Sequence, residues 1–114
     1  MTITVISKIT LKPNCFSEAK RQWLISPSNM KRNEPNLLKW NIVRSSDGPL
    51  LFCCIEEFED QAAIEFHIQQ DYVKTGVENF APLIDGEMAS SPEELRTWSD
   101  ITENIVSMSD MEIQ

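Results

Sequence analysis

The chain has 114 residues, 41% hydrophobic and 25% charged, the balance of a single globular domain rather than a disordered or fibrous chain. Ten Lys and Arg stand against 18 Asp and Glu, a net charge of −8 that leaves no basic stripe for phosphates and argues against nucleic acid as a partner. The opening "MTITVISKITLK" lacks the basic start and apolar core of a secretory signal, and no run reaches a membrane span. A cytoplasmic protein with no membrane partner is expected.

In "ITVISKITL" the residues Ile3, Val5, Ser7, Ile9 and Leu11 share one face and Thr4, Ile6, Lys8 and Thr10 the other, the period of a strand. Pro13 and Asn14 end it. Phe16, Ala19, Trp23 and Leu24 then recur at helical spacing. Pro27 would clash inside that helix, and "SPSN" offers Ser26 as a fresh N-cap, so a kink or break is expected there. After the turn cluster "NEPN", the run "LLKWNIVR" places Leu38, Trp40 and Ile42 on one face of a second strand.

The loop "SSDGP" leads into "LLFCCIEEF", six apolar residues followed directly by two glutamates. Such a run suits a strand buried on both faces, antiparallel to its predecessor. Asp60 is placed to cap the next helix, "QAAIEFHIQQ", where Ile64 and Ile68 lie one turn apart with His67 beside them. A third helical pattern runs through Val73, Val77, Phe80 and Ile84 to Gly86. Beyond Gly86 the signals conflict: "SPEE" has the form of a capping box with Ser91 and Glu94, whereas "ELRTWSDI" alternates like a strand. Residues 87–114 hold seven acids against one base, and 102–114 are set apart as an acidic, mobile tail following a domain of residues 1–101.

The order β-α-β-β-α, with an optional last strand, is an α+β fold of the ferredoxin-like split βαβ type with an antiparallel sheet. Helices cover one face of that sheet. The apolar run asks for cover on the other, and a second copy of the chain, forming a homodimer, is the simplest source. Neighbouring strand residues point to opposite faces, so Cys53 and Cys54 are poorly placed to pair and read, with Cys15, as thiols. With one His and no CxxC there is no metal site to expect.

His67 is the only side chain whose unperturbed pKa lies near neutrality, the natural choice for proton transfer; a histidine on an apolar helix face also serves as a structural hydrogen-bonding residue. It is expected to line a partly closed pocket, its ring oriented by a carboxylate or carbonyl. Glu56 ends a buried strand, where a carboxylate must find a donor, and His67 is one candidate; a structural salt bridge is the other reading. Trp23, Trp40, Phe52 and Tyr72 are suited either to core packing or to the wall of a pocket for a flat ligand, with Asn41 a candidate polar contact on the opposite face of its strand.

The span from "EPNLLKWNIVRS" through "LLFCCIEEFEDQAAIEFHIQQDYVKT" to "FAPLIDG" resembles the antibiotic biosynthesis monooxygenase family of small dimeric α/β-barrel proteins. Its most specific element is a Glu at the end of the third strand, an aromatic two positions on, an acidic turn and a helix carrying Ala and His: here Glu56, Phe58, Asp60, Ala63 and His67. The family includes cofactor-independent oxygenases of quinols and anthrones, haem-degrading enzymes and an isomerase of a phosphorylated signalling molecule. The isomerase branch is similar at Phe66, His67, Lys74 and Thr75. The haem-degrading branch has a Trp where Phe58 stands and an Asn that the first strand lacks. Asn36 in place of a turn glycine, Pro27 in the first helix and the acidic tail depart from the family pattern.

The resemblance implies a dimeric α+β barrel acting on a small molecule without cofactor, with strand two lining the cavity near Trp40. In an oxygenase His67 would draw a proton from a phenolic or enolic substrate, whose anion meets dioxygen. In an isomerase His67 and Glu56 would move a proton on a hydroxy-ketone, with Arg44, Lys74 or Lys39 answering a phosphate. In a binding dimer without enzymatic activity His67 is structural.

Overall fold

The computed structural model describes residues 2–46, 48–86, 89–92 and 103–107. Alternation gives strand β1, Ile3–Thr10, and Asn14 in the left-handed region (φ 69°) turns the chain into helix α1, Phe16–Asn33. Strands β2, Leu37–Arg44, and β3, Leu51–Phe58, form the expected hairpin, followed by helices α2, Gln61–Ile68, and α3, Asp71–Phe80. A 3-10 turn at Ala81–Leu83 leads to a bridge between Ile84 and Leu11, and Gly86 (φ 87°) lets the chain turn back. Two short strands complete the sheet, β4 (Ala89–Pro92) and β5 (Glu103–Ser107).

The sheet order is β4-β1-β3-β2-β5, with every pairing antiparallel. Its first four strands have the ferredoxin-like order, which confirms the expected α+β fold. Between sheet and helices lies the main core, including Ile9, Leu11, Trp23, Trp40, Ile42, Phe52 and Phe58. Ile6, Val43, Cys53 and Ile55 form a second cluster on the other face. Both faces of the run "LLFCCI" are therefore buried, as its composition required. The second face is already covered within one chain, so its burial is no argument for a second copy.

Four expectations are corrected by packing. Helix α1 runs through Pro27 without a break, because Pro27 is fully buried and its packing offsets the lost hydrogen bond. Leu38 is half exposed while Leu37 enters the core: the register with β3 shifts between Leu37 and Lys39, and this β-bulge places Leu37, Trp40 and Ile42 on one face. Ile68 is also exposed. It is the last residue of α2, whose buried stripe is Ala63 and His67. Residues 103–107, expected within a mobile tail, pair with β2, anchored by the fully buried Val106. Ser91 of the expected capping box lies in β4 opposite Ile6, while Glu94 and the alternating run from residue 95 to 101 lie outside the described residues.

The start of α2 follows the sequence closely. The Asp60 side chain accepts a hydrogen bond from the Ala63 N–H at 2.9 Å. Because this helix has only two turns, Asp60→Ala should lower stability by about 1 kcal/mol, read as a reduced urea midpoint. An unchanged midpoint would show that tertiary contacts alone set the helix start.

Candidate functional site

A cavity of about 420 Å³ opens between the helices and the sheet. Its walls are aromatic and aliphatic: Trp23 from α1, Trp40 from β2, and Tyr72 and Phe80 from α3. Its polar groups include Glu56 from β3, His67 from α2 and Ser7 from β1. None of the described lining residues is Lys or Arg. An apolar chamber with a few converging polar groups is the usual form of a small-molecule site.

Strand periodicity brings Glu56 to this chamber. It shares the helix-facing side of β3 with Phe52, Cys54 and Phe58, opposite Val5 on one neighbour and Trp40 on the other. His67 arrives by helix periodicity, one turn after the buried Ala63. Its imidazole and the Phe58 ring meet in a T-shaped contact, centroids 5.4 Å apart.

Both ring nitrogens of His67 face carboxylates. Nδ1 lies 2.8 and 3.0 Å from the two Glu34 oxygens, and Nε2 lies 3.2 Å from Glu56 Oε2. Burial alone would lower the histidine pKa, but hydrogen bonds to Glu34 and Glu56, reinforced by their charge, outweigh it and raise the value to about 9. His67 is thus an imidazolium at neutral pH, with an N–H donated to each side. Tyr72 donates its hydroxyl hydrogen to Glu34 Oε2. Burial first, and then this bond, push the phenol well above its ordinary pKa, so the proton stays on Tyr72. Cys54, also on the wall, is held as a neutral thiol by burial and by the nearby Glu56.

Glu34 was not among the residues expected from sequence. It is the C-cap of α1, its backbone N–H bonded to the Met30 carbonyl, and it is only 3% exposed. One signal would have found it: Ala19, Trp23, Pro27, Met30 and Glu34 are spaced by four, four, three and four residues, so an acid continues the buried stripe of the helix.

Of the expected site residues, His67, Glu56, Trp23, Trp40 and Tyr72 meet at the chamber. Phe52 is one layer behind, fully buried and packed on Phe16 and Trp23 at 5.6 and 5.3 Å between ring centroids. Asn41 pairs with Ile55 and lies on the opposite face, a consequence of the two-residue period. The cations weighed for a phosphate are elsewhere: Arg44 lies over the Phe16 and Phe52 rings, and Lys39 and Lys74 are exposed. Among the described residues no group of three His, Cys, Asp or Glu could hold a metal ion, and no helix is long and apolar enough to cross a membrane.

Residues 2–79 match the family model described as antibiotic biosynthesis monooxygenase. No curated protein sequence matches the chain significantly. Among solved structures, a Caulobacter crescentus protein provisionally named an antibiotic biosynthesis monooxygenase superposes with a TM-score of 0.76 at 22% identity, over 90% of this chain and 91% of that one. A conserved protein from Methanosarcina mazei gives 0.72 at 18% identity over 82% and 92% of the two chains. The Mycobacterium tuberculosis protein Rv0793 gives 0.69 at 18% identity over 82% and 94%. At these identities the likeness shows a shared fold.

Proposed function

The chain belongs to the antibiotic biosynthesis monooxygenase family, and from that premise we propose that it oxidises a small, uncharged phenolic or enolic molecule of the quinol or anthrone type with dioxygen. One observation carries the reading: a carboxylate and an imidazolium sit side by side on the wall of an aromatic chamber, Glu56 and His67, 3.2 Å apart. A flat ring fits between the aromatic walls. Its acidic O–H or C–H points at the polar groups.

The protonation of His67 changes the roles given by sequence. A protonated imidazole cannot accept a proton, so the acceptor is Glu56. His67 orients that carboxylate and places positive charge beside the anion formed in the chamber. The electron-rich anion then reacts directly with dioxygen. For an anthrone-type CH₂ the product is C=O, one oxygen atom entering the substrate while the other leaves as water with both hydrogens. The substrate is itself the reductant, so the proposed reaction draws on no cofactor.

A phosphorylated hydroxy-ketone fits this chamber poorly. No described wall residue is Lys or Arg, and the charge of the His67 imidazolium is already matched by the carboxylates of Glu34 and Glu56. Oxygen uptake with anthrone and a naphthohydroquinone tests the proposal. Uptake with at least one of them is expected, and His67→Gln should slow turnover by about a hundredfold or more while ligand binding persists. A phosphorylated analogue should bind at least about tenfold more weakly than its neutral parent, about 1.4 kcal/mol. Proton exchange at carbon without oxygen uptake would favour the isomerase. Binding of these compounds with no turnover would favour the binding protein.

A further inference from the structure

Glu34 connects the chamber to a different part of the molecule. It is absent from the chamber wall but lines a second cavity, of about 290 Å³, with Pro35, Asn36, Leu37, Asp60, Ala62 and Phe66 among its neighbours. The two cavities share no lining residue. The wall between them is crossed by hydrogen bonds: His67 and Tyr72 line the chamber, and both donate to Glu34.

We propose that Glu34 is a proton port, through which the buried groups of the chamber exchange protons with water in the second cavity while a ligand fills the chamber. Two routes reach it. His67 passes its Nδ1 proton to a Glu34 oxygen and recovers one by the same path. Tyr72 can accept a proton from a ligand hydroxyl as its own moves to Glu34 Oε2, one O–H bond forming and one breaking at the Tyr72 oxygen. No oxidation state changes. Asp60, exposed at the rim of the second cavity, supplies an acceptor next to bulk water. The structural alternative is that Glu34 only anchors the ring, in which case protons reach His67 through the chamber mouth.

The use of such a port in turnover rests on the proposed proton transfer at Glu56, but the port can be tested without any turnover. The readout is hydrogen exchange at His67 Nδ1, followed by ¹⁵N-edited NMR on the intact chain. Ala62 is exposed and lines only the second cavity, so Ala62→Trp fills that cavity from the surface. Val73 lines only the chamber, and Val73→Trp fills that side. Exchange should slow about tenfold or more in Ala62→Trp and stay within about twofold of the parent in Val73→Trp. Ala62→Met, a smaller filler, should give an intermediate rate, which checks the trend in a variant with less risk to folding. Slowing in Val73→Trp alone, in both variants equally, or in neither overturns the port. Absence of oxygen uptake would remove the proposed reaction and leave this result standing.

Discussion

Glu34→Ala should destabilise the protein by about 3 kcal/mol or more, because it strips a buried imidazolium and a half-buried phenol of their shared acceptor. Neither donor has an easy replacement. Water would have to enter through the space left by the side chain, and the ring of His67 would lose the bond that orients it. The loss has a ceiling, since the imidazole can shed its proton and become neutral. The cost should therefore be larger at pH 6 than at pH 10, and Glu34→Gln, which keeps an acceptor but not the charge, should fall between parent and Ala. Urea unfolding at the two pH values measures it. A loss below about 1 kcal/mol at both would mean that the bonds to Glu34 contribute no more than an ordinary surface pair.

Stability should also fall as the solution becomes alkaline, through His67. Its pKa is about 9 in the folded protein against an ordinary value of 6.5. A group whose folded pKa is raised contributes stability that is fully present below the unfolded value and is lost as pH rises through the folded one. The window is thus about pH 6.5 to 9, and the contribution is on the order of 3 kcal/mol. In His67→Gln this alkaline slope should be absent, although the variant is less stable than the parent near pH 6. Denaturant midpoints from pH 5.5 to 10 test the point. Parallel curves for parent and variant would show that folding leaves the His67 pKa unshifted.

The elements near the site were legible because local pattern and tertiary context agree there. Alternation placed β1 and β3, the apolar run announced burial on both faces, and Asp60 marked the start of α2 by a cap that the fold forms. His67 and Glu56 were legible through chemistry, one histidine near neutrality and one acid closing a buried strand. Their mutual contact could be anticipated, but not the protonation state. That depends on Glu34, which is 33 residues from His67 in sequence and is the first residue of the turn-forming "EPN". Turn composition concealed its place on the buried helical stripe. Asn41 stands on the far face of β2, where the strand period had put it, and so makes no polar contact in the chamber. The edge strand β5 was hidden by the acids around it, because its anchor, Val106, belongs to a five-residue segment too short to stand out.

The bulge at Leu38 bears on how chain length varies among relatives of this fold. From Lys39 onward β2 is held residue by residue against β3, and moving that pairing by one would turn Trp40 outward and bring Asn41 to the chamber. A lost or gained residue within Lys39–Arg44 would therefore change which side chains meet the ligand. The same length change at Leu38 leaves every later partner in place, since the pairing there is already out of step. When related sequences are aligned, a gap belongs at this position. A gap set a few residues later would equate a chamber-lining position in one protein with an outward-facing position in another.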